Sequence, residues 1–217
     1  MTTSDASGLF IVFEGGEGCG KSTQVALLTE YLSSDGIAVT ATREPGSGPL
    51  GVKIRAMLLD PDVEDVAPRA EALLYAADRA QHVHTLIQPA LTRGDVVVCD
   101  RYIDSSLAYQ GAARGHGVER IRDLSLWAAS GLTPDLTFLL DLDPEVGLAR
   151  AGKRAVLDRF EREALTFHLN LSAAFRGFAA AEPHRYEVLD ASQTPEVTAA
   201  QIRAHIALRY PHLASQI

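Results

Sequence analysis

Cysteine is almost missing from this chain. Cys19 and Cys99 are the only two, one inside a glycine-rich loop and one closing an apolar run, so a disulfide framework is not indicated and both read as reduced thiols. Long apolar runs are missing as well: none approaches the ~20 residues that cross a bilayer. The N-terminal MTTSDASG has neither the basic start nor the apolar stretch of an export signal, so the expected location is the cytoplasm, with no membrane contact. Basic residues are outnumbered, 20 Lys and Arg against 28 Asp and Glu, for a net charge of −8. That is the wrong sign for the extended basic face that a nucleic-acid backbone requires. A small phosphorylated ligand stays open, because its charge can be met by cations focused in a cleft. The histidines offer no chelating pattern either: His82 and His84, two apart on a helix, point to different faces, and no structural metal is expected.

What is present is ordinary for a globular protein: 47% apolar and 22% charged residues over 217 positions, read as one domain, residues 1–217, with a mobile lid. Five short apolar runs, Leu9 to Glu14, Ile37 to Thr42, Val96 to Cys99, Leu136 to Leu140 and Tyr186 to Leu189, have the length and composition of buried parallel strands. Between and after them, Lys21 to Leu32, Pro68 to Leu91, Val118 to Ala129, Arg159 to Ala180 and Pro195 to Arg209 carry apolar residues at three-to-four spacing and read as helices. Pro68 and Pro195 suit a first helical turn, where a missing N–H costs nothing. Strands alternating with helices imply right-handed crossovers and an α/β fold of three layers, a five-stranded parallel sheet with helices on both faces. Ligands of such folds bind at the carboxyl ends of the strands.

The strongest motif lies at the first of those ends. Gly15, Gly16, Glu17, Gly18, Cys19, Gly20, Lys21 and Ser22 fit the phosphate-binding P-loop pattern between the expected first strand and first helix. Glycines let consecutive N–H groups converge on phosphate oxygens, and the positive end of the following helix adds to their field. Lys21 is expected at the β- and γ-phosphates of ATP, Ser22 on Mg²⁺, and Thr23 beside them. Val96 to Asp100 is an apolar strand ending in a carboxylate, which suits Asp100 to the metal and its waters; with Arg101 next to it, the pair also reads as a simple loop salt bridge. Arg150, Lys153 and Arg154, set among the small residues Ala151, Gly152 and Ala155, read either as a lid over about 150–157 that brings cations onto a transferring phosphoryl group or as a solvated helix end.

Together with the P-loop, the segments Thr42-Arg-Glu-Pro-Gly46, Leu73-Leu-Tyr-Ala-Ala-Asp-Arg79, Asp100-Arg-Tyr-Ile-Asp-Ser-Ser-Leu-Ala-Tyr-Gln110 and Leu157-Asp-Arg-Phe-Glu161 stand in the order and spacing of the thymidylate kinases. The chain resembles that family, in the bacterial form with lid arginines, from about Leu9 to the last helix. The resemblance implies ATP-dependent, Mg²⁺-assisted phosphorylation of dTMP to dTDP, a step in supplying dTTP for DNA synthesis, carried out by a homodimer. It implies that Arg101 binds the acceptor phosphate, that Arg43 and Pro45 shape its pocket, that Tyr75 stacks on thymine and that Arg79 meets the thymine edge. It further implies that Glu17 contacts the sugar hydroxyl and the phosphate-binding arginine, that Tyr109 crowds the 2′ carbon, and that Ser105 and Gln110 lie near the base. Lys21, Arg101, Arg150 and Arg154 would then be the catalytic cations. An arginine fork suits a phosphate and a tyrosine face suits a base.

Two other classes compete. A kinase of another small acceptor would keep the P-loop but has no use for Arg101 with Tyr75 and Arg79. A P-loop switch or ATPase would need no acceptor site, and a guanine-reading Asn-Lys-x-Asp element is absent, since Asn170 is the only asparagine.

Overall fold

The computed structural model describes residues 8–60, 66–153 and 160–214. Strands β1 (Leu9–Glu14), β2 (Val39–Arg43), β3 (Val96–Asp100), β4 (Leu136–Asp141) and β5 (Tyr186–Asp190) form one parallel sheet in the order β2-β3-β1-β4-β5. All five expected strands are there, with ends shifted by no more than two residues. The central strand explains the layering. Ile11 and Phe13 of β1 point into a core made with Leu28 and Leu32 of α1 (Lys21–Ser34) and with Ile202 and Ile206 of α9 (Pro195–Arg209). Phe10 and Val12, on the opposite face, meet Ala72 of α3 (Pro68–His82) and Ile121 of α6 (Val118–Ala128). Alternate side chains of a strand leave opposite faces, so a strand apolar at every position must be covered on both sides.

The helices depart from the periodicity in instructive places. The helix expected over Pro68 to Leu91 is α3, then a π-helical turn at Val83–Ile87, then the short α4 (Gln88–Thr92). Pro89 has no N–H to donate and its ring crowds the carbonyl four residues back, a conflict that a π turn relieves. The helix expected from Arg159 to Ala180 is α8 (Leu165–Ala181). Arg159 lies outside the described residues, and Phe160 instead turns inward to the core, its ring 5.5 Å from that of Tyr109. Before β5, three stretches not expected to be helical are so. They are α2 (Gly48–Leu59), the pair of α5 (Ile103–Ser106) with a π-helical continuation at Leu107–Ala113, and α7 (Pro144–Ala151). Both α2 and α7 have proline in the first turn; α2 opens on Gly48, Pro49 and Gly51, which read as a turn, and α7 has only eight residues, so few apolar repeats mark it. The eight residues of α7 are launched by Asp143, whose side chain accepts from the Glu145 N–H at 2.8 Å. A last short helix, α10 (Pro211–Ala214), follows α9. Among the described residues no helix is long and apolar enough to cross a membrane.

Parallel registry fixes what the sheet presents at its carboxyl edge. Arg43 of β2 pairs with Asp100 of β3, and Asp100 pairs with Phe13 of β1, so Arg43, Asp100 and the residues after Glu14 emerge side by side. Under that edge, Phe13 and Phe138 stack with ring centroids 5.3 Å apart, both wholly buried. Replacing Phe138 with alanine is expected to lower stability by about 3–5 kcal/mol, the usual cost of removing a buried ring, read from the urea midpoint at unchanged slope.

Candidate active site

The loop after β1 is built on backbone geometry that side chains do not tolerate. Gly15, Gly18 and Gly20 have positive φ angles of 142°, 65° and 97°, and a Cβ on Gly15 would stand 2.6 Å from the Leu140 carbonyl oxygen. Lys21 opens α1 and folds back into the loop, its ammonium donating to the carbonyls of Gly16 at 2.7 Å and Gly15 at 3.2 Å. The Cys19 thiol is also inside, donating to the Gly16 carbonyl. Ser22 donates from its hydroxyl to the Asp100 carboxylate at 2.6 Å.

Arg101 follows Asp100 with φ at 70°, a left-handed conformation uncommon for a residue with a Cβ. Its guanidinium donates to Glu17 at 2.8 Å, to the Gly15 carbonyl at 3.1 Å and to the Ser105 hydroxyl at 3.1 Å, and it lies 5.1 Å from the centre of the Tyr109 ring. Arg101 therefore pairs with the P-loop acid, and Asp100 is occupied by Ser22. The Tyr109 hydroxyl donates to the same Glu17 oxygen in a short hydrogen bond. Burial, the largest influence on Glu17, favours its neutral form, but Arg101, Lys21, the Tyr109 hydroxyl and His168 together outweigh it and hold the carboxyl down at about 2. Beneath the turn, the wholly buried Glu14 accepts from the N–H groups of Tyr102 and Ser105 at 2.9 and 3.1 Å and from the Ser105 hydroxyl at 2.6 Å. Burial, then the nearby Asp104, pushes Glu14 up to about 7.

These groups border a cleft of about 430 Å³ at the carboxyl edge of the sheet, within the range of small-molecule sites. From the P-loop, Glu17, Gly18, Gly20, Lys21, Ser22 and Thr23 reach it; from the sheet ends and helices come Arg43, Pro45, Tyr75, Arg79, Asp100, Arg101, Ser105, Tyr109 and Gln110. Arg79 is held below the surface. It gives one N–H to Glu44 at 2.9 Å and others to Ser125, the Tyr102 carbonyl and Ser106, each at 3.1 Å, so four of its five N–H groups have partners. The same Glu44 takes His82 at 2.9 Å, and Asp78 accepts from the Gly46 N–H at 3.1 Å. Helix α3 thus racks the Glu44–Pro45–Gly46 turn, whose Glu44–Pro45 peptide is cis. Gln110 donates to Glu71 at 2.8 Å.

Arg150 stands apart from the cleft, in the last turn of α7, donating to the Ala191 carbonyl at 3.0 Å. The lid expected at about 150–157 thus begins within a helix, and Arg154 lies outside the described residues. The sequence reading overlooked Arg55 and Phe160 as cleft residues. Arg55 donates to the Pro45 carbonyl at 2.9 Å; burial first, then the like charge of Arg43, lowers its pKa, the mark of cations gathered in one place. It lies on α2, which periodicity had not marked. Phe160 sits in a quoted motif without a role, and its neighbours Tyr75 and Tyr109, 6.4 and 5.5 Å away, are joined to it only by folding.

The depressed Glu17 makes a prediction about acid. Its folded value of about 2 lies below the ordinary 4.5, so the stability it contributes is complete above about pH 4.5 and is lost as pH falls from there toward about 2. Urea unfolding of wild type and Glu17→Gln at several pH values is expected to show a gap that is widest above pH 5 and closes on acidification. A gap constant from pH 6 to pH 3 would mean that Glu17 titrates as a free carboxylate.

Comparison with known proteins bears on the same residues. The family model described as thymidylate kinase matches residues 13–202. A thymidylate kinase of Clavibacter sepedonicus is 56% identical over 199 residues, 91% of this chain and 94% of the relative. One of Deinococcus radiodurans is 50% identical over 204 residues, 94% and 98% of the two chains. The crystal structure of thymidylate kinase from Ehrlichia chaffeensis matches with a TM-score of 0.69 at 32% identity, covering 84% of this chain and 93% of that one. The P-loop and the cleft both fall inside these matched lengths, and the chain belongs to the thymidylate kinase family.

Proposed function

We propose that the cleft transfers the γ-phosphoryl group of ATP to the phosphate of thymidylate, giving ADP and thymidine diphosphate. The observation that carries this reading is the joint of Glu17, Arg101 and Tyr109. A loop suited to a triphosphate is tied through one carboxylate to an arginine and an aromatic ring that suit a nucleoside monophosphate. The acceptor oxygen is already nucleophilic, so the protein has to position two anions, neutralise their charge and exclude water. Lys21 and the loop N–H groups take the donor phosphates. Arg101, with Arg43 and Arg55 beside Pro45, takes the acceptor phosphate. Tyr75 and Phe160 flank the base, the remaining N–H of Arg79 serves its edge, and Ser105 and Gln110 line its surroundings. Arg150 and Arg154 approach the transferring group when the lid closes, for which Arg150 must leave the Ala191 carbonyl.

Ser22 and Asp100, a hydroxyl and a carboxylate 2.6 Å apart beside the loop, fit Mg²⁺, which takes few protein ligands and fills its shell with water and phosphate oxygens. A bound ion would supply positive charge to the donor phosphates, with Ser22 and Asp100 holding it. Among the described residues no group of three or more His, Cys, Asp or Glu is placed to hold a metal, which suits an ion brought in with its nucleotide. The reading extends to one domain working in the cytoplasm, and to a homodimer: Trp127 on α6 is 81% exposed and Leu73 on α3 58%, large apolar surface that pairing would cover.

The test is ADP release with each common nucleoside monophosphate. Thymidylate is expected to be preferred, with little release when no acceptor is present; equal release without acceptor would point to an ATPase. Lys21→Ala is expected to lower turnover at least about a hundredfold, as loss of charge at a transferring group does, measured in the same assay. Sugar choice is expected to rest on the Tyr109 ring. A ribose hydroxyl against it gains no partner, at a cost of about 1–3 kcal/mol, so Tyr109→Ala should narrow the ratio of kcat/KM between thymidylate and 5-methyluridine monophosphate. Tyr109→Phe, which keeps the ring and loses only the Glu17 bond, should leave that ratio wide. An unchanged ratio in the alanine variant would place the selection elsewhere.

A further inference from the structure

Helix α7 touches the P-loop backbone to backbone. A Cβ on Gly147 would stand 2.3 Å from the Glu17 carbonyl oxygen, and a Cβ on Gly18 would stand 2.1 Å from the Gly147 carbonyl oxygen. Both distances are far inside van der Waals contact, and the atoms met are backbone, which cannot swing aside as a flexible side chain does. The contact is reciprocal, and each partner must be glycine. The strand before α7 also touches the loop, since Gly15 packs on the Leu140 carbonyl of β4. The β4–α7 unit therefore brackets the loop at its start and its tip.

The helix has little freedom to yield. Its first turn is fixed by the Asp143 cap, and the Gly147 N–H donates to the Asp143 carbonyl at 2.9 Å. Its last turn is tied to the segment after β5 by Arg150 on Ala191. Glycine inside a helix is otherwise a disadvantage of about 0.8–1.0 kcal/mol against alanine, and nothing about α7 as a helix calls for it at position 147. Its place there answers to the loop.

We propose that Gly147 is a positioning residue for the donor side of the reaction: the Gly18–Gly147 joint sets the distance between the P-loop and α7, so that the loop keeps the shape that receives the ATP phosphates and Arg150 enters the site at a fixed height. This rests on the functional reading above. Of the acceptor groups only Glu17 belongs to the joint, through its carbonyl, and its carboxylate is held separately by Arg101 and Tyr109; the others, on β2, α2, α3, the turn after β3 and the Leu107–Ala113 segment, lie outside it, so the effect falls on the donor side.

Gly147→Ala tests it. Helix propensity alone would make the variant as stable as wild type or more so. The clash with the Glu17 carbonyl outweighs that gain, so the melting temperature falls by several degrees, and the loss of function is one-sided: kcat/KM for ATP falls about a hundredfold, the scale of an ångström of misplacement at a reacting group, while thymidylate binding by calorimetry stays within about twofold. Val146→Ala, on the same helix but solvent-exposed, is expected to change neither. An active wild type with an unimpaired Gly147→Ala overturns the inference, as does an equal loss on the ATP and thymidylate sides. A wild type inactive on thymidylate would instead overturn the functional reading. If the variant does not fold, hydrogen exchange on the unaltered chain decides. Binding of a non-hydrolysable ATP analogue is expected to slow exchange across 145–151 together with 15–22, and protection confined to the loop overturns the joint.

Discussion

Everything chemical in this molecule starts from the register of three parallel strands. Because Arg43, Asp100 and Phe13 lie in one row across β2, β3 and β1, the sheet ends in a cation, a carboxylate and a glycine loop side by side. A slip of one residue in any pairing would send these groups to the opposite face. The register is held by the apolar cores on both sides, where Phe10, Ile11, Val12 and Phe13 alternate between two helical layers and are wholly buried.

Above that row, buried charge supplies the order. Glu14, Glu44, Asp78, Arg79, His82, Asp104 and Arg185 are all buried, each with partners at hydrogen-bond distance. Such pairs add little net stability, because desolvation offsets their attraction, but removing one member leaves an uncompensated charge. They are directional ties. Glu14 holds the turn of Arg101, the α3 rack holds the turn of Pro45, and the bidentate contact of Arg185 with Asp104, at 2.7 and 3.2 Å, braces α5 against the start of β5. The cleft can be cationic in a chain of net charge −8 because five arginines or lysines converge there while two of its acids, Glu17 and Glu44, are paired with Arg101 and Arg79.

The Glu17 joint gives the two substrates a common wall. One carboxylate in the donor loop restrains both the arginine and the tyrosine of the acceptor side, so the relative placement of two anions is decided by a few rigid contacts. Rigidity of this kind is what positioning needs, since an error of about an ångström can cost a hundredfold in rate. The close packing of the loop on Leu140 and Gly147 serves the same end from the other side.

Much of this was legible without coordinates. The apolar runs at Leu9, Val96 and Leu136 gave strands because a strand buried on both faces can hold little else, and the glycines with Lys21 and Ser22 gave a phosphate loop because few other sequences bring so many N–H groups together. The motifs around Arg43, Tyr75, Arg101 and Tyr109 pointed to an acceptor site through resemblance. What local patterns did not carry were α2, hidden behind Gly48, Pro49 and Gly51, and α7, with too few turns to show a period, and the groups they deliver, Arg55 and Gly147. For the partner of Arg101, adjacency alone suggested Asp100, while the resemblance pointed to Glu17, which folding brings from 84 positions away. The sequence by itself determined the elements and the chemistry at their ends, since both are written in short-range spacing. Only the tertiary structure decided which charges meet and which backbones touch, because those contacts depend on how distant segments pack.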